Sequence, residues 1–491
     1  MGKGVDCVME EKKDDRCKVL MISSEAAPYA KSGGLGDVCG SLPKELKKLG
    51  VDIQLVIPKY QGIKEEDLTY LGEFQVSLSW RIQTAKIFYK HGEVPTYFIA
   101  NDMYFNRENL YGYEDDQERF TFFCKAALDM LIFLEYYPDV IHCNDWQTGP
   151  ICMYLKELYK KVICYAPIKT LFTIHNLQYQ GNFPKETMEM LGVPYDCYNN
   201  GTVEFYGNVS YMKMGLMYAD RISTVSETYA QEIQTPEYGY GMDGILRSRS
   251  NVLSGIVNGI DYLANNPQTD SELPFHYSLK SIARKKKNKT QLQNDLGLEE
   301  KDVPMITMIT RLADQKGLDI LAQCMEELLR EDIQFVLLGT GEQKYQDMFY
   351  EMVQRYPQKV SANFKFDDTM AKKIYAAGDI FLMPSLFEPC GLGQMFSLRY
   401  GNIPVVRKTG GLADTIEHYN IQTKTGNGFV FETYDSNGLL WGIREALKVY
   451  AMGKKEWNQI IKNAMTSDYS WTKSAKKYSM LYHELCNTAK R

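Results

Sequence analysis

Short apolar runs separated by polar, glycine-bearing turns fill the first half of the chain. Residues 19–22 form an unbroken apolar run, and 53–57 one interrupted only by Gln54, each of the length a buried parallel strand needs. Residues 76–80 and 85–89 read as an inserted hairpin, with a further strand at 97–99. Residues 120–136 carry the spacing of an amphipathic helix. So does the stretch after residue 33, with Leu42, Leu46 and Leu49 on one face. Strand-like segments at 140–142, 170–174 and 221–225 continue the series. Strands alternating with helices predict a sheet covered by helices on both faces. The rhythm pauses at Gly255-Ile256-Val257-Asn258-Gly259-Ile260-Asp261, followed by Pro267 and a polar stretch. It resumes at 306–309, 335–338, 380–383 and 405–406, and the tail 474–489 reads as a helix. The expected fold class is α/β: two doubly wound domains facing one another across a deep cleft. Ligands of such sheets bind at the carboxyl ends of the strands.

A chain of 491 residues exceeds one ordinary core, in keeping with two domains. Its formal charge of −6 argues against bulk nucleic-acid binding, which needs a basic face. The local cluster Arg284, Lys285, Lys286, Lys287 and Lys289 reads as a solvated helix surface. No apolar stretch is long enough for a membrane span. The first residues, with Glu10, Asp14, Asp15 and Arg16, are too charged for a secretory signal and too acidic for an organelle import peptide. The 11 cysteines are scattered without Cys-x-x-Cys spacing, which favours a reduced cytosolic setting with most of them as small apolar fillers. Tyrosine (35) far outnumbers tryptophan (5); an exposed tyrosine offers a ring to sugar C–H faces and a hydroxyl to water.

Chemistry concentrates just after the predicted strands. Lys31-Ser32-Gly33-Gly34-Leu35-Gly36-Asp37 joins the first strand to the first helix. A glycine turn there leaves N–H groups free at a helix start, an anion site, and Lys31 adds mobile positive charge. Gly34 admits a close backbone approach. A phosphate or a nucleotide sugar is the expected ligand. Walker and Gly-x-Gly-x-x-Gly patterns are both absent, and the bland alternative is a tight structural turn. Arg311 and Lys316, with backbone donors of Thr409, Gly410 and Gly411, could clamp a pyrophosphate. Their bland alternative is a salt bridge to Asp314 or Asp319. Glu388 could accept two sugar hydroxyls or simply sit at a helix start. Asp145 and His175, the latter followed by Asn176, end two strands of the first half, where each could meet a sugar hydroxyl. No metal is demanded: Asp115-Asp116 and Asp367-Asp368 lack a third ligand and read as solvated surface. No Gly-x-Ser-x-Gly elbow supports acyl hydrolysis.

Taken in order, these motifs resemble those of bacterial glycogen synthases and plant starch synthases, glycosyltransferase family 5. The likeness runs through residues 31–38, 142–146, 173–181, 224–226, 258–261, 311–317, 384–393 and 408–414, and so spans 18 to 471. It implies two Rossmann-like domains of the glycosyltransferase-B type. It implies glucose transfer from ADP-glucose to the non-reducing end of an α-1,4-glucan, with retention and without a cofactor. It further divides the chain into a disordered extension (1–17), an acceptor domain (18–256), a nucleotide-sugar domain (257–465) and a C-terminal helix (466–491) that returns to the first domain. By the same likeness, Lys31, Arg311 and Lys316 bind the diphosphate, and Gly33 and Gly34 approach it. Glu388 holds glucosyl hydroxyls beside Cys390, Gly391 and Leu392. His175 contacts the glucose, Asp145 lies by the acceptor, and Asn258 lines the sugar pocket. Phe366 stands where the family has a tyrosine, and Leu386 where an arginine is common, so donor-base preference is less determined than the reaction. Partners are the donor and a glycogen, starch or maltooligosaccharide acceptor, with no nucleic acid or membrane. A cytoplasmic location is expected, or a plastid after loss of a transit peptide. A UDP-glucose-dependent relative or a non-catalytic glucan-binding homologue remains the alternative.

Overall fold

The computed structural model describes residues 17–489, so the expectation for the first 16 residues lies outside the described part. The first half contributes β1 (Lys18–Ile22), β2 (Asp52–Pro58), β3 (Thr69–Leu78), β4 (Arg81–Lys90), β5 (Thr96–Ala100), β6 (Val140–Asn144) and β7 (Lys169–Ile174). Then come the short β8 (Asn182–Phe183), β9 (Glu204–Phe205) and β10 (Asn208–Ser210), followed by β11 (Arg221–Thr224) and β12 (Leu253–Gly255). The second half holds β13 (Met305–Ile309), β14 (Gln334–Leu338), β15 (Val360–Asn363), β16 (Ile380–Met383), β17 (Ile403–Arg407) and β18 (Phe429–Phe431).

Nine strands form one sheet in the order β12-β11-β7-β6-β1-β2-β5-β4-β3. It is parallel from β12 to β5 and ends in the antiparallel β3–β4 hairpin. Six parallel strands form the second sheet, β15-β14-β13-β16-β17-β18. Each sheet reverses its winding at one place: β1 lies between β2 and β6, and β13 between β14 and β16. Loops leaving neighbouring strands at such a switch point diverge to opposite faces and open a crevice. The Lys31 turn follows β1, residues 142–145 end β6, Arg311 follows β13 and Glu388 follows β16. The topology thus sends all four to the crevices.

The apolar runs fill the cores: β1 is buried from Val19 to Ile22, and Phe335, Leu337, Ile380 and Val405 play that part in the second sheet. A small cluster of Val225, Ile260, Cys390 and Met395 joins the two halves. The last helix, Trp471–Ala489, packs Trp471, Tyr478 and Tyr482 into the first core. There the Tyr482 hydroxyl lies 2.8 Å from His142 Nδ1.

Several local expectations are corrected. The helix Gly34–Lys48 stops before Leu49, which is exposed, because Gly50 turns the chain at φ 85°. β12, β15 and β18 are strands too short or too mixed in polarity to show a period. Lys285 and Lys289 are not solvated. Lys285 gives its ammonium to the carbonyls of Tyr375 and Ala376, and burial lowers it to about 7. Lys289 reaches Asp379 at 2.6 Å. Asp116 is buried beside Arg119, and Asp115 takes the fork of Arg107. Cys17 and Cys486 are joined as a disulfide, which the expectation of a reduced setting with most cysteines as apolar fillers did not include. Of the free described cysteines, all but Cys164 are buried.

Candidate active site in the cleft

A cavity of about 690 Å³ lies between the sheets, and residues from both halves line it. Lys31, Asp145 and His175 come to it from the first half, and Arg311, Lys316 and Glu388 from the second. Gly33, Gly34, Asn176, Asn258, Phe366, Cys390, Gly391 and Leu392 also line it. The side chain of Phe366 is 76% exposed, at the rim.

The glycine turn is held from behind. Glu25 accepts from the Ser32 amide (2.6 Å), the Ser32 hydroxyl (2.6 Å), the Gly33 amide (3.3 Å) and the Tyr111 hydroxyl (2.7 Å). The amides of Ser32 and Gly33 are therefore engaged, and the anion-facing donors are those further into the helix Gly34–Lys48, whose first turn has no partners within the helix. A Cβ at Gly33 would meet no atom within 4 Å, so its absence keeps the cavity side open. Lys31 bonds Asp37 at 2.9 Å, which steers its ammonium along the turn. Glu25 and Tyr111 carry no motif and were missed in the sequence. The one signal that could have found the first is its place between β1 and the turn.

In the second half the salt-bridge alternative fails. Asp314 pairs with Lys344 at 2.6 Å and Asp319 takes the Tyr434 hydroxyl at 2.6 Å. Among the described residues no carboxylate pairs with Arg311, whose guanidinium lies 3.4 Å from both the Tyr179 hydroxyl and Gln315 Oε1. Lys316 instead bonds Glu388 at 2.7 Å, and Ser385 donates to the same carboxylate oxygen at 3.0 Å. The expectation for Thr409, Gly410 and Gly411 is corrected. Thr409 Oγ1 and the Gly410 amide donate to Glu232, at 2.9 and 3.0 Å, and the Gly411 amide donates to the Glu388 carbonyl. These residues are not among those lining the cavity. A Cβ on Gly410 would lie 2.0 Å from the Glu388 carbonyl oxygen, and one on Gly411 2.1 Å from that of Cys390. Their role is to let two loops pack backbone to backbone, which positions Glu388.

Asp145 sits at φ 58°, a left-handed conformation uncommon for a residue with a side chain. Its carboxylate accepts from the His175 amide at 2.7 Å. Burial raises it to about 7, despite the opposing pull of the backbone N–H groups of His175 and Asn176. Burial lowers His175 to about 3, so its ring is neutral at pH 7. The Asn144 amide nitrogen donates to the Ile22 carbonyl, which leaves Asn144 Oδ1 facing His175 Nε2 at 3.0 Å. Nε2 therefore carries the proton, and Nδ1 offers a lone pair: this histidine accepts from a hydroxyl rather than donating to one. Two buried amide oxygens on the cavity wall, Gln147 Oε1 and Asn258 Oδ1, have no hydrogen-bond partner among the described residues. Buried acceptors without partners are costly, and a ligand hydroxyl would satisfy them. Gln147 escaped the sequence reading because it lies beyond the strand end that marked the motif.

The arrangement fits an anionic leaving group beside a polyhydroxylated ring. Comparison with known proteins agrees. Residues 18–248 match the starch synthase catalytic domain model, and 288–466 match glycosyl transferases group 1. The chain is 48% identical to a glycogen synthase of Desulforudis audaxviator, over 96% of this chain and 97% of that one. It is 50% identical to a glycogen synthase of Clostridium beijerinckii, over 95% and 99% respectively. A solved structure, the catalytic domain of starch synthase IV from Arabidopsis thaliana bound to ADP and acarbose, superposes with a TM-score of 0.90 at 34% identity, covering 96% of this chain and all of that one. With motifs, fold and cleft in agreement over nearly its whole length, the chain belongs to the glycogen and starch synthase family of glycosyltransferases.

Proposed function

We propose that the protein transfers glucose from ADP-glucose to the non-reducing end of an α-1,4-glucan with retention at the anomeric carbon. The observation that carries this is the meeting of Lys31 from the first half with Arg311, Lys316 and Glu388 from the second around one cavity. Arg311 and Lys316 stabilise the charge that grows on the departing diphosphate, and the helix start after Gly33 adds its amide dipoles. When donor binds, Lys316 divides its donors between diphosphate and Glu388, and Glu388 accepts glucosyl hydroxyls. Asp145 lies on the first-half wall, where it orients the acceptor hydroxyl. His175 Nδ1 and the amide oxygens of Gln147 and Asn258 accept from sugar hydroxyls. Attack comes from the face the diphosphate leaves, and a leaving-group oxygen takes the acceptor proton. Closure of the cleft excludes water from the activated donor. No cofactor enters the reaction, which runs in the cytoplasm on glycogen, starch or maltooligosaccharide.

The test is nucleotide release from ADP-glucose and UDP-glucose, each with and without glycogen, read together with chain length. ADP release that depends on glycogen, with lengthened chains, is the expected result. Release of UDP alone would reassign the donor. Absence of elongation from every donor would end the proposal.

A further inference from the structure

An aromatic floor lies outside the cleft, on the second half of the chain. The helix Ser436–Ala451 buries Leu439, Ile443 and Ala446, yet Trp441 on the same helix is 49% exposed. Trp457 and Trp471 are buried, as such large apolar rings ordinarily are. The Trp441 ring lies 17° from parallel to that of His418, with centroids 5.5 Å apart. That separation is an offset stack, so the two rings form one stepped platform. A cavity of about 730 Å³ opens over it, bounded also by Lys408, Glu432, Thr433 and Asn437.

The rim has a definite chemical character. Lys408 and Glu432 pair at 2.7 Å and cancel each other's charge. His418 Nδ1 lies 3.1 Å from the Val430 amide nitrogen and 3.3 Å from the Val430 carbonyl oxygen, and its Nε2 has no partner among the described residues. Asn437 and Thr433 add neutral polar groups. A flat apolar floor with a neutral, hydrogen-bonding rim matches a ligand with an apolar face and many hydroxyls. It does not match a phosphate or a strongly charged peptide.

We propose that this groove is a second glucan-binding site, which holds a stretch of the acceptor polymer against Trp441 while a chain end occupies the cleft. The assignment of an α-glucan as occupant rests on the proposed function. Sugar C–H groups carry slight positive charge and pack on the negative face of the indole, and rim groups bond the hydroxyls. Two contacts on one polymer raise the effective concentration of its ends at the cleft. The groove therefore lowers the polymer concentration needed for half-saturation and leaves short acceptors unaffected.

The experiment compares the full-length protein with Trp441→Ala and Trp441→Phe in three measurements: mobility in native gels with and without glycogen, initial rates on glycogen, and initial rates on maltotriose. Trp441→Ala is expected to lose most of its retardation by glycogen and to need about tenfold more polymer, a loss of about 1.4 kcal/mol. Its maltotriose kinetics and kcat stay unchanged, and Trp441→Phe recovers most of the retardation. Equal retardation and equal half-saturation for wild type and Trp441→Ala would overturn the proposal. So would a wild-type dimer on gel filtration that Trp441→Ala abolishes with glycogen retardation intact, which would give the groove to a second copy of the chain. If wild type elongates nothing yet is retarded by glycogen through Trp441, the proposed reaction falls while the groove stands.

Discussion

Lys316 and Glu388 meet at 2.7 Å with both side chains largely shielded from water, so each governs the state of the other. Removing the lysine takes away a preorganised cation and strands a buried carboxylate. Lys316→Ala is expected to lower kcat by about 10²–10³, the scale of losing one preorganised donor at a developing charge. It should also lower stability by about 2 kcal/mol, the scale of a charge-assisted hydrogen bond. Adding Glu388→Gln should restore the melting temperature and not the rate. Lys344→Ala, which breaks an exposed pair with Asp314, should change kcat less than about twofold. Asp145 yields a second expectation, with a sign that can be worked out. Its carboxyl titrates near 7 in the folded protein against an ordinary 3.8. The native state thus holds the proton more tightly than the unfolded chain. That advantage is fully present below about 3.8 and is lost as pH rises toward 7. Asp145→Asn should therefore melt higher than wild type at pH 8, the difference shrinking by pH 5, while it loses acceptor turnover. Thermal melts at the two pH values, beside ADP release, check both halves of the statement.

Among elements, the decisive contact is between two loops that follow neighbouring strands. The turn after β16 carries Glu388, and the turn after β17 carries Gly410 at φ 42°. A methyl group on Gly410 would collide with the Glu388 carbonyl, which is backbone and cannot swing away. Gly410→Ala should lower kcat at least as much as Glu388→Ala and lower the melting temperature by several degrees, since left-handed strain adds to the clash. A turnover near wild type would show that these loops do not determine the position of Glu388. The first-half counterpart is Glu25, whose three hydrogen bonds from Ser32 and Gly33 fasten the glycine turn to the chain just after β1.

Across the whole molecule, the halves are fastened by a reciprocal arrangement beside the cleft. Glu232, ending the helix Glu227–Glu232, accepts from Thr409 and Gly410 at the start of the helix Gly410–Thr415. Asp414 in that second helix accepts from Ser226 and Thr228 at the start of the first, at 2.6 and 2.5 Å. Each helix thus supplies an acid to the other's first turn, where acids are favoured. This contact bears on domain closure. Asp414→Ala should enlarge the radius of gyration measured by X-ray scattering and raise the half-saturating donor concentration several-fold. Saturating donor should return the dimension to the wild-type value. A variant as compact as wild type, with the same donor dependence, would show that closure does not depend on this contact.

The order of apolar runs and glycine turns by itself determined the α/β class and placed the Lys31, Asp145, His175, Arg311 and Glu388 segments after strands. Strand periodicity is local, and a parallel sheet brings the carboxyl ends of its strands to one edge whatever the intervening sequence. Tertiary structure alone decided which groups meet. Glu25 under the glycine turn, Glu232 on Gly410, the burial of Lys285 and Lys289, and the joining of Cys17 to Cys486 are contacts between side chains that no period links. Charge and polarity are read from a residue type, but whether a lysine is solvated or an amide is free depends on what the fold brings within 3 Å of it. That is why Thr409, Gly410 and Gly411 look like phosphate donors along the chain and are loop-packing residues in space.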